Sequence, residues 1–391
     1  MHILHLTTNN KKIITLLRDG EASKRDLMEK SGLSWATIVK SINQLTEARI
    51  VECNGELESG KRGKNANTYC LNPRFPLVIG IDVGYKETRT VVTNVSGEIL
   101  CDFFRPTPYR INMERALSFL SELITLVFEK VPSLGEAIIG VGIGKPGIGF
   151  PSTNRKDNIK ETSAVQETLS KKFNVPVRID INTKAYAIFE RWYGNMRDYN
   201  DFIFVQLRSG VGTGIISNGQ LYSGTNGLSG EIGHIKVVNN GLPCRCGNSG
   251  CMETLVNQYY LFEQYRKYIL GPSSSSEIIT DDNDEALKKG LADLCTRAKE
   301  GNETACSIVK TAAAYLGLCL AYAISILDIT QIVLSGFLGE DGDVFVPYLN
   351  DTIEKNISNE ISFSVQYLPF DKDGHVFGAA MLIYKDFLVD I

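Results

Sequence analysis

The chain does not open with a basic segment running into an apolar one, so no secretion signal is expected. It also lacks a run that reads as a membrane span. The most apolar long stretch, Thr311 to Leu327, is rich in small residues and tyrosine, follows Lys310 and ends at Asp328, which predicts a buried helix. Neither sign of charge dominates, the formal net charge being -4. That balance hides an asymmetry: residues 1 to 72 carry 11 Lys and Arg against 8 Asp and Glu, and the remainder 30 against 37. Any nucleic acid should therefore meet the slightly basic head. With 391 residues, 43% of them hydrophobic and 22% charged, the chain is long enough for two or three soluble globular domains.

Histidine is scarce as well, with four in the chain, yet one of them stands among three of the nine cysteines. The stretch GEIGHIKVVNNGLPCRCGNSGCME, Gly230 to Glu253, sets His234, Cys244, Cys246 and Cys251 in a glycine-bearing loop. C-x-C and C-x4-C spacings bring three thiolates round one point, and a nearby histidine completes a tetrahedral zinc set. The competing reading is a cluster of free thiols or one disulfide. Cys244 and Cys246 are too close to pair comfortably with each other, and a reducing compartment, here the cytoplasm, disfavours disulfides. With all four ligands from protein, the expected ion is structural Zn2+. Glu231 and Glu253 flank the loop, where a folded knuckle would hold two carboxylates in place to accept hydrogen bonds from sugar hydroxyls; the plainer reading is a pair of solvated surface charges.

In the first 72 residues three short helices follow one another. KKIITLLRDG places Ile13, Ile14 and Leu17 on one face and stops at Gly20; Ser23 and Asp26 form a capping box for the second helix, which ends at Gly32; Ser34 caps the third, with Ile38, Ile42 and Leu45 facing inward. This is a helix-turn-helix pattern. Trp35, Thr37, Lys40, Ser41 and Gln44 are the expected phosphate and base contacts on the outward face of the third helix. A β-hairpin follows as a wing, with Lys61, Arg62 and Lys64 in its loop as a basic tip. A three-helix protein-interaction module is the alternative for this segment.

Asn72 to Pro76, with two prolines, reads as a stiff linker. Beyond it LVIGIDVGYKETRTVVTNVSGEIL predicts strands with a turn at Ser96-Gly97, and a similar unit returns at FIFVQLRSGVGTGIISNGQLYSG with a hairpin turn at Asn218-Gly219. This weak repeat suggests two related α/β lobes facing across a cleft. Between the repeats an amphipathic helix is expected near Met113 to Val131, and the chain is expected to close with the strand QIVLSGF and a helix from about Gly378.

The run G-E-I-G-H followed by C-x-C-G-x-x-G-C-x-E resembles the signature of the ROK family of bacterial sugar-responsive repressors and sugar kinases, and the first 72 residues resemble the winged helix-turn-helix of its repressor branch, which includes xylose and N-acetylglucosamine repressors. The resemblance implies an α/β chain: a winged helix-turn-helix in residues 1–72, a linker in 73–77, and in 78–391 a two-lobed actin-like, ribonuclease-H-like ATPase fold with a zinc knuckle. It implies zinc on His234, Cys244, Cys246 and Cys251, and a sugar held by Glu231, His234 and Glu253. Asn182 and Asn158 are added as assisting sugar contacts, the latter in Asn158-Ile159-Lys160-Glu161, where the family has N-L-x-x-W. Gly144, Pro146 and Gly147 match its G-x-P-G turn.

The kinase branch is the alternative function, and the same resemblance weighs against it. The first phosphate loop, D-x-G-G-T in family kinases, stands here as Asp82-Val83-Gly84-Tyr85-Lys86; the second keeps part of G-T-G-x-G as Arg208-Ser209-Gly210-Val211-Gly212; and Ser335-Gly336-Phe337 departs from the double glycine near adenosine. Asn182 falls where the catalytic Asp belongs, and an amide is no carboxylate base, though Asp180 lies two residues away. The expectation is a catalytically inactive, kinase-like sensor that regulates transcription, binds pseudo-palindromic operator DNA as a homodimer or higher homo-oligomer, takes a small sugar or sugar-phosphate effector in the inter-lobe cleft, and meets no membrane. A plain interaction scaffold would bind neither.

Overall fold

A computed structural model describes residues 6–56, 67–84, 86–108, 112–147, 155–271, 284–336 and 338–387. The basic loop residues Lys61, Arg62 and Lys64, and also Tyr85 and Phe337, lie outside the described residues.

Local signals build the N-terminal head. Helices α1 (Thr8–Leu17), α2 (Lys24–Ser31) and α3 (Trp35–Glu47) are joined by a three-stranded sheet of β1 (Ala22–Ser23), β2 (Val51–Glu56) and β3 (Asn67–Leu71) in the order β1-β3-β2. Ser23 Oγ accepts from Asp26 N at 3.2 Å while Asp26 Oδ2 accepts from Ser23 N at 2.9 Å, the reciprocal bonds of a capping box. Gly32 ends α2 at φ 69°, a left-handed conformation that a side chain would strain. Ile13, Ile14, Leu27, Ile38, Ile42 and Leu45 form the core of the head. Along α3, Trp35 is 53% exposed, Lys40 is exposed, and Thr37 and Gln44 are half-buried. Ser41 is a correction: it is 3% exposed, on the stripe of Ile38, Ile42 and Leu45 rather than on the outward face.

The segment after the head is tied on both sides. Asn72 donates from N to Ile50 O (2.8 Å) and from Nδ2 to Arg49 O (2.7 Å) in the head. Asn94 Nδ2 donates to Pro73 O (3.0 Å), and the buried Tyr384 hydroxyl lies within bonding distance of Pro76 O (3.1 Å) and Thr93 O (2.8 Å).

The described chain packs as two units, one of Met1–Lys145, Lys160–Asn182 and Val376–Ile391, the other of Pro146–Ile159 and Thr183–His375. The first contains the head and a sheet of β4 (Leu77–Val83), β5 (Glu87–Asn94), β6 (Ile99–Pro106), β7 (Ile138–Lys145) and β8 (Val177–Ile181) in the order β6-β5-β4-β7-β8. β6, β5 and β4 are antiparallel, whereas β4, β7 and β8 run parallel, linked through α4 (Met113–Lys130) and α5 (Arg155–Phe173). Asn158 lies within α5. The helix α11 (Gly374–Phe387) starts four residues earlier than the sequence suggests. It lies so close to the sheet that a Cβ on Gly142 would fall 1.7 Å from Ala379 O.

The second unit repeats the same strand plan. β9 (Phe202–Leu207), β10 (Val211–Ser217), β11 (Gln220–Leu221), β12 (Gln331–Gly336) and β13 (Ser364–Pro369) are ordered β11-β10-β9-β12-β13, three antiparallel and then parallel. Asn218 and Gly219 turn the hairpin at φ 52° and 72°, the doubly positive geometry favoured by an Asn-Gly pair. α6 (Asn182–Trp192), α7 (Gln258–Tyr265), α8 (Asp284–Lys299), α9 (Glu303–Leu327) and α10 (Phe345–Glu354) complete the helices. α9 is long and apolar enough to cross a membrane by length and composition, but it is a core helix packed on α8 and α10, with Val309, Leu316, Leu320 and Ile324 buried.

Glu190 of α6 makes stability depend on pH. Its carboxylate is 4% exposed and accepts from Asn195 N at 3.1 Å. Burial pushes the carboxyl up to about 7 from 4.5, with the Asn195 N–H opposing and Asp371 reinforcing the rise. A raised acid favours the fold while protonated, so stability is lost as pH climbs from about 4.5 to about 7. Glu190→Gln keeps the acceptor without the charge. Chemical denaturation should find the variant equal to the parent near pH 4.5 and more stable above pH 7, by on the order of 3 kcal/mol. Parallel pH profiles for the two proteins would refute the buried charge as the cause.

Candidate metal centre and ligand site

The knuckle grows out of β10. After β11 the chain passes Gly230, makes one turn at Ile232–His234, and returns through isolated bridges, Lys236 with Cys251 and Pro243 with Ser249. Gly250 sits at φ 77° so close to Val238 that a Cβ would meet its carbonyl oxygen at 1.9 Å. This tight crossing brings Cys251 up against Cys244 and Cys246.

One donor atom from each of His234, Cys244, Cys246 and Cys251 lies within 4.8 Å of the others. Cys246 Sγ and Cys251 Sγ are 3.6 Å apart, unbonded, and His234 Nδ1 is 3.5 Å from Cys244 Sγ. A tetrahedral ion with bonds of about 2.3 Å to sulfur needs sulfur atoms about 3.8 Å apart, so the donor set fits zinc in number, chemistry and size. Burial pushes the Cys244 and Cys251 thiols above their ordinary range, so a metal must displace protons to take them.

The histidine ring is oriented by a carboxylate. With Nδ1 on the cysteine side, Nε2 faces Glu231 Oε2 at 3.4 Å, the arrangement in which a carboxylate behind the ring fixes a metal-binding imidazole. Glu253 is 3% exposed, with Oε1 3.1 Å from Cys244 Sγ and 3.4 Å from Arg245 Nε, and Oε2 3.4 Å from Val211 N. Arg245, between two of the cysteines, supplies the counter-charge for this buried carboxylate. Glu231, His234 and Glu253 thus stand together at one edge of the knuckle, with carboxylate oxygens suited to accept from hydroxyls.

Asn182 lies in the first unit, at the end of β8. Gly144 sits beside it: a Cβ there would be 3.4 Å from Asn182 Cα and 3.7 Å from Asp82 Oδ1. Asp82, Gly144 and Asp180 stand in one row across the parallel strands β4, β7 and β8, at their carboxyl ends, where open α/β sheets place ligands.

Two tertiary contacts are not announced by the sequence, although Lys184 itself stands where the family resemblance expects an asparagine. Lys184 is 1% exposed and donates Nζ to Gly227 O at 2.7 Å, pinning the loop that leads to Glu231. Its burial follows from a helix with every residue from Thr183 to Glu190 buried. The second is a chain of Gln206, His375 and Arg208: His375 Nε2 is 2.9 Å from Gln206 Oε1, and Nδ1 is 3.3 Å from Arg208 NH1. No periodicity joins residues so far apart.

A family model described as the ROK family matches residues 78–386. The chain is 26% identical over 371 residues to the xylose repressor of Caldicellulosiruptor bescii, covering 94% of this chain and 91% of that protein. It is 27% identical over 339 residues to the DNA-binding transcriptional dual regulator NagC of Escherichia coli, covering 85% and 81%. Among solved structures, a ROK family transcriptional regulator described as a homologue of the E. coli MLC protein superposes with a TM-score of 0.75 at 22% identity, covering 96% of this chain and 95% of that one. The ROK hexokinase of Thermus thermophilus superposes at 0.60 and 21% identity, covering 78% of this chain and 97% of its own. These structural likenesses speak for the fold, an actin-like α/β body preceded by a winged helix-turn-helix.

Proposed function

This chain belongs to the ROK family, and on that premise we propose that it is a sugar-responsive transcriptional regulator, a repressor of carbohydrate-utilisation genes that carries structural zinc and transfers no phosphoryl group. One observation carries the reading: a single chain joins a helix-turn-helix head to a knuckle that assembles Glu231, His234 and Glu253. Residues 1–72 read DNA, 73–77 connect, and 78–391 bind the effector. Trp35, Lys40, Thr37 and Gln44 meet the operator, with Lys61, Arg62 and Lys64 on its phosphates. Glu231 and Glu253 accept from sugar hydroxyls, and His234 serves both ion and sugar. Asn182 and Asn158 assist. The protein acts in the cytoplasm as a homodimer, each head reading one half of a pseudo-palindrome.

Asn182 supports the loss of catalysis, because an amide cannot take the proton of an attacking hydroxyl. Asp180 Oδ1 accepts from the neighbouring Ile181 N at 2.7 Å. A sugar alters operator affinity by its unequal affinity for the DNA-competent and DNA-incompetent states, and by no other route.

The reading is tested by selecting duplexes from a random pool with the zinc-loaded protein, then titrating sugars and sugar phosphates into the selected complex. An enriched sequence with two-fold related halves, released or tightened about 5- to 150-fold by one compound, is expected. ADP release from ATP and magnesium that depends on sugar would restore the kinase. Failure to enrich any sequence would remove the regulator.

A further inference from the structure

The chain reaches Glu231 through a loop that one outside side chain holds by its tip. Between β11 and the turn at Ile232–His234, residues 222–230 carry Gly224, Gly227 and Gly230 at φ 70°, 67° and 78°. The neck of the loop is closed by its own bonds: Ser229 N donates to Ser223 O at 3.2 Å, and the Ser229 hydroxyl donates to Tyr222 O. Its base rests on β10, where a Cβ on Gly230 would lie 3.0 Å from Thr213 O. The tip, residues 225–228, is exposed. Among the described residues, the tip has a single hydrogen bond to the protein outside the loop, the one Gly227 O accepts from Lys184 Nζ at 2.7 Å.

Lys184 makes this bond from a rigid base. α6 lies so close to β10 that a Cβ on Gly214 would come within 3.3 Å of Lys184 Cα and 2.4 Å of Ala187 Cβ. The lysine is buried along with its helical neighbours, so its stem has little room to move. A charged donor also makes the stronger kind of hydrogen bond to a carbonyl. The asparagine that the family resemblance expects at 184 ends nearer the backbone and reaches less far, so the bond belongs to this chain's own residue.

We propose that Lys184 is a positioning residue for the effector: by holding Gly227 it fixes the course of the loop into Gly230, and with it the direction of the Glu231 carboxylate, without touching the sugar. The inference rests on the reading that Glu231 accepts from sugar hydroxyls. A carboxylate at the foot of a loose loop has to be ordered by each ligand that binds, which lowers affinity, whereas a latched one is ordered beforehand. Lys184 therefore acts on the effector through Glu231, and its contribution vanishes when that carboxylate is removed.

The test uses the full-length, zinc-loaded chain. Lys184→Met keeps an apolar stem and removes the donor, and Lys184→Arg retains a donor. Gly227→Ala approaches the loop from its other side: a Cβ there meets nothing within 4 Å, so its effect is the strain of a side chain at φ 67°. Hydrogen exchange read by mass spectrometry follows the loop, and D-glucose, D-xylose, N-acetyl-D-glucosamine and their phosphate esters are titrated as ligands. In Lys184→Met and Gly227→Ala the amides of residues 222–231 should exchange about ten-fold faster, with β9 and β10 unchanged. Affinity for the compound that wild type binds best should fall about ten-fold, with zinc content and sugar-free operator affinity as in wild type. Lys184→Arg should lie in between. In a Glu231→Ala background, Lys184→Met should weaken that compound no further. Losses that multiply in the double variant, or loop exchange that Lys184→Met leaves unchanged, overturn the proposal. Faster exchange throughout the second unit gives Lys184 a part in folding alone and overturns it as well. If wild type binds none of these compounds, the sugar assignment of Glu231 falls, and the positioning role falls with it even where the loop opens as described.

Discussion

Cys251→Ser should strip the metal and unfold the knuckle. Cys251 is fully buried, its Sγ is 3.6 Å from Cys246 Sγ, and the backbone beside it is threaded between Ile235, whose carbonyl accepts from Met252 N at 2.9 Å, and the crossing at Gly250. Serine offers a poor zinc ligand and leaves two thiols and an imidazole around an incomplete shell. Structural zinc contributes about 10–16 kcal/mol to small zinc peptides. In a larger unit with its own apolar core, on the order of 5 kcal/mol is a reasonable share, and about 2–4 °C per kcal/mol converts this to a melting temperature lowered by about 10–20 °C. Cys101→Ser, at a half-buried site on β6, is the control and should retain one zinc per chain. Metal content by mass spectrometry and melting temperature read both variants. A Cys251→Ser protein with a full equivalent of zinc and an unshifted transition would dismantle the metal centre.

Glu231→Ala should silence the sugar response while sparing DNA binding. The Glu231 side chain is 24% exposed, and truncating it should cost the fold on the order of 1 kcal/mol, the centre of the range for single substitutions. Hydrogen bonds from hydroxyls to a charged carboxylate are worth about 1.5–3 kcal/mol, so effector affinity should fall about ten- to a hundred-fold. The same carboxylate orients the His234 ring, and loss of such a partner can cost about 10–100-fold in metal affinity. Measurements therefore belong at saturating zinc, with Glu231→Gln beside the alanine variant to retain an acceptor. Expected are unchanged operator affinity without sugar and a response shifted to higher concentration, less for glutamine than for alanine. Loss of operator binding in zinc-saturated Glu231→Ala would show that this carboxylate serves the fold.

What the sequence makes legible is what short-range chemistry decides. Ser23, Gly32 and Ser34 mark their helix ends because capping bonds span three or four residues, and Asn218-Gly219 marks its hairpin because few other pairs adopt two positive φ angles. The metal donors are legible for a similar reason, since C-x-C and C-x4-C nearly close the cluster by themselves. Ser41 misleads because a small hydroxyl residue fits a core stripe as readily as an outward face. β13 goes unread: SVQYLP is short, ends in proline, and becomes a strand by pairing with β12, Gln331 opposite Ser364. α11 begins at Gly374 although Gly and His are weak helix formers, because Tyr186 lies against that residue, 2.5 Å from where its Cβ would stand. The Gln206, His375 and Arg208 chain is likewise a tertiary product.

The hydroxyl of Tyr384 also imposes an order on biosynthesis. Pro76 and Tyr384 are 308 residues apart, yet they meet behind the segment that follows the head. The three helices and three strands of the head all lie before Asn72. A ribosome making this chain therefore extrudes the whole of the head long before the residue that fastens the segment behind it. Until α11 is made and docks on the first sheet, the hydroxyl that holds Pro76 is missing, so this fastening of the segment behind the head waits for translation to pass Tyr384.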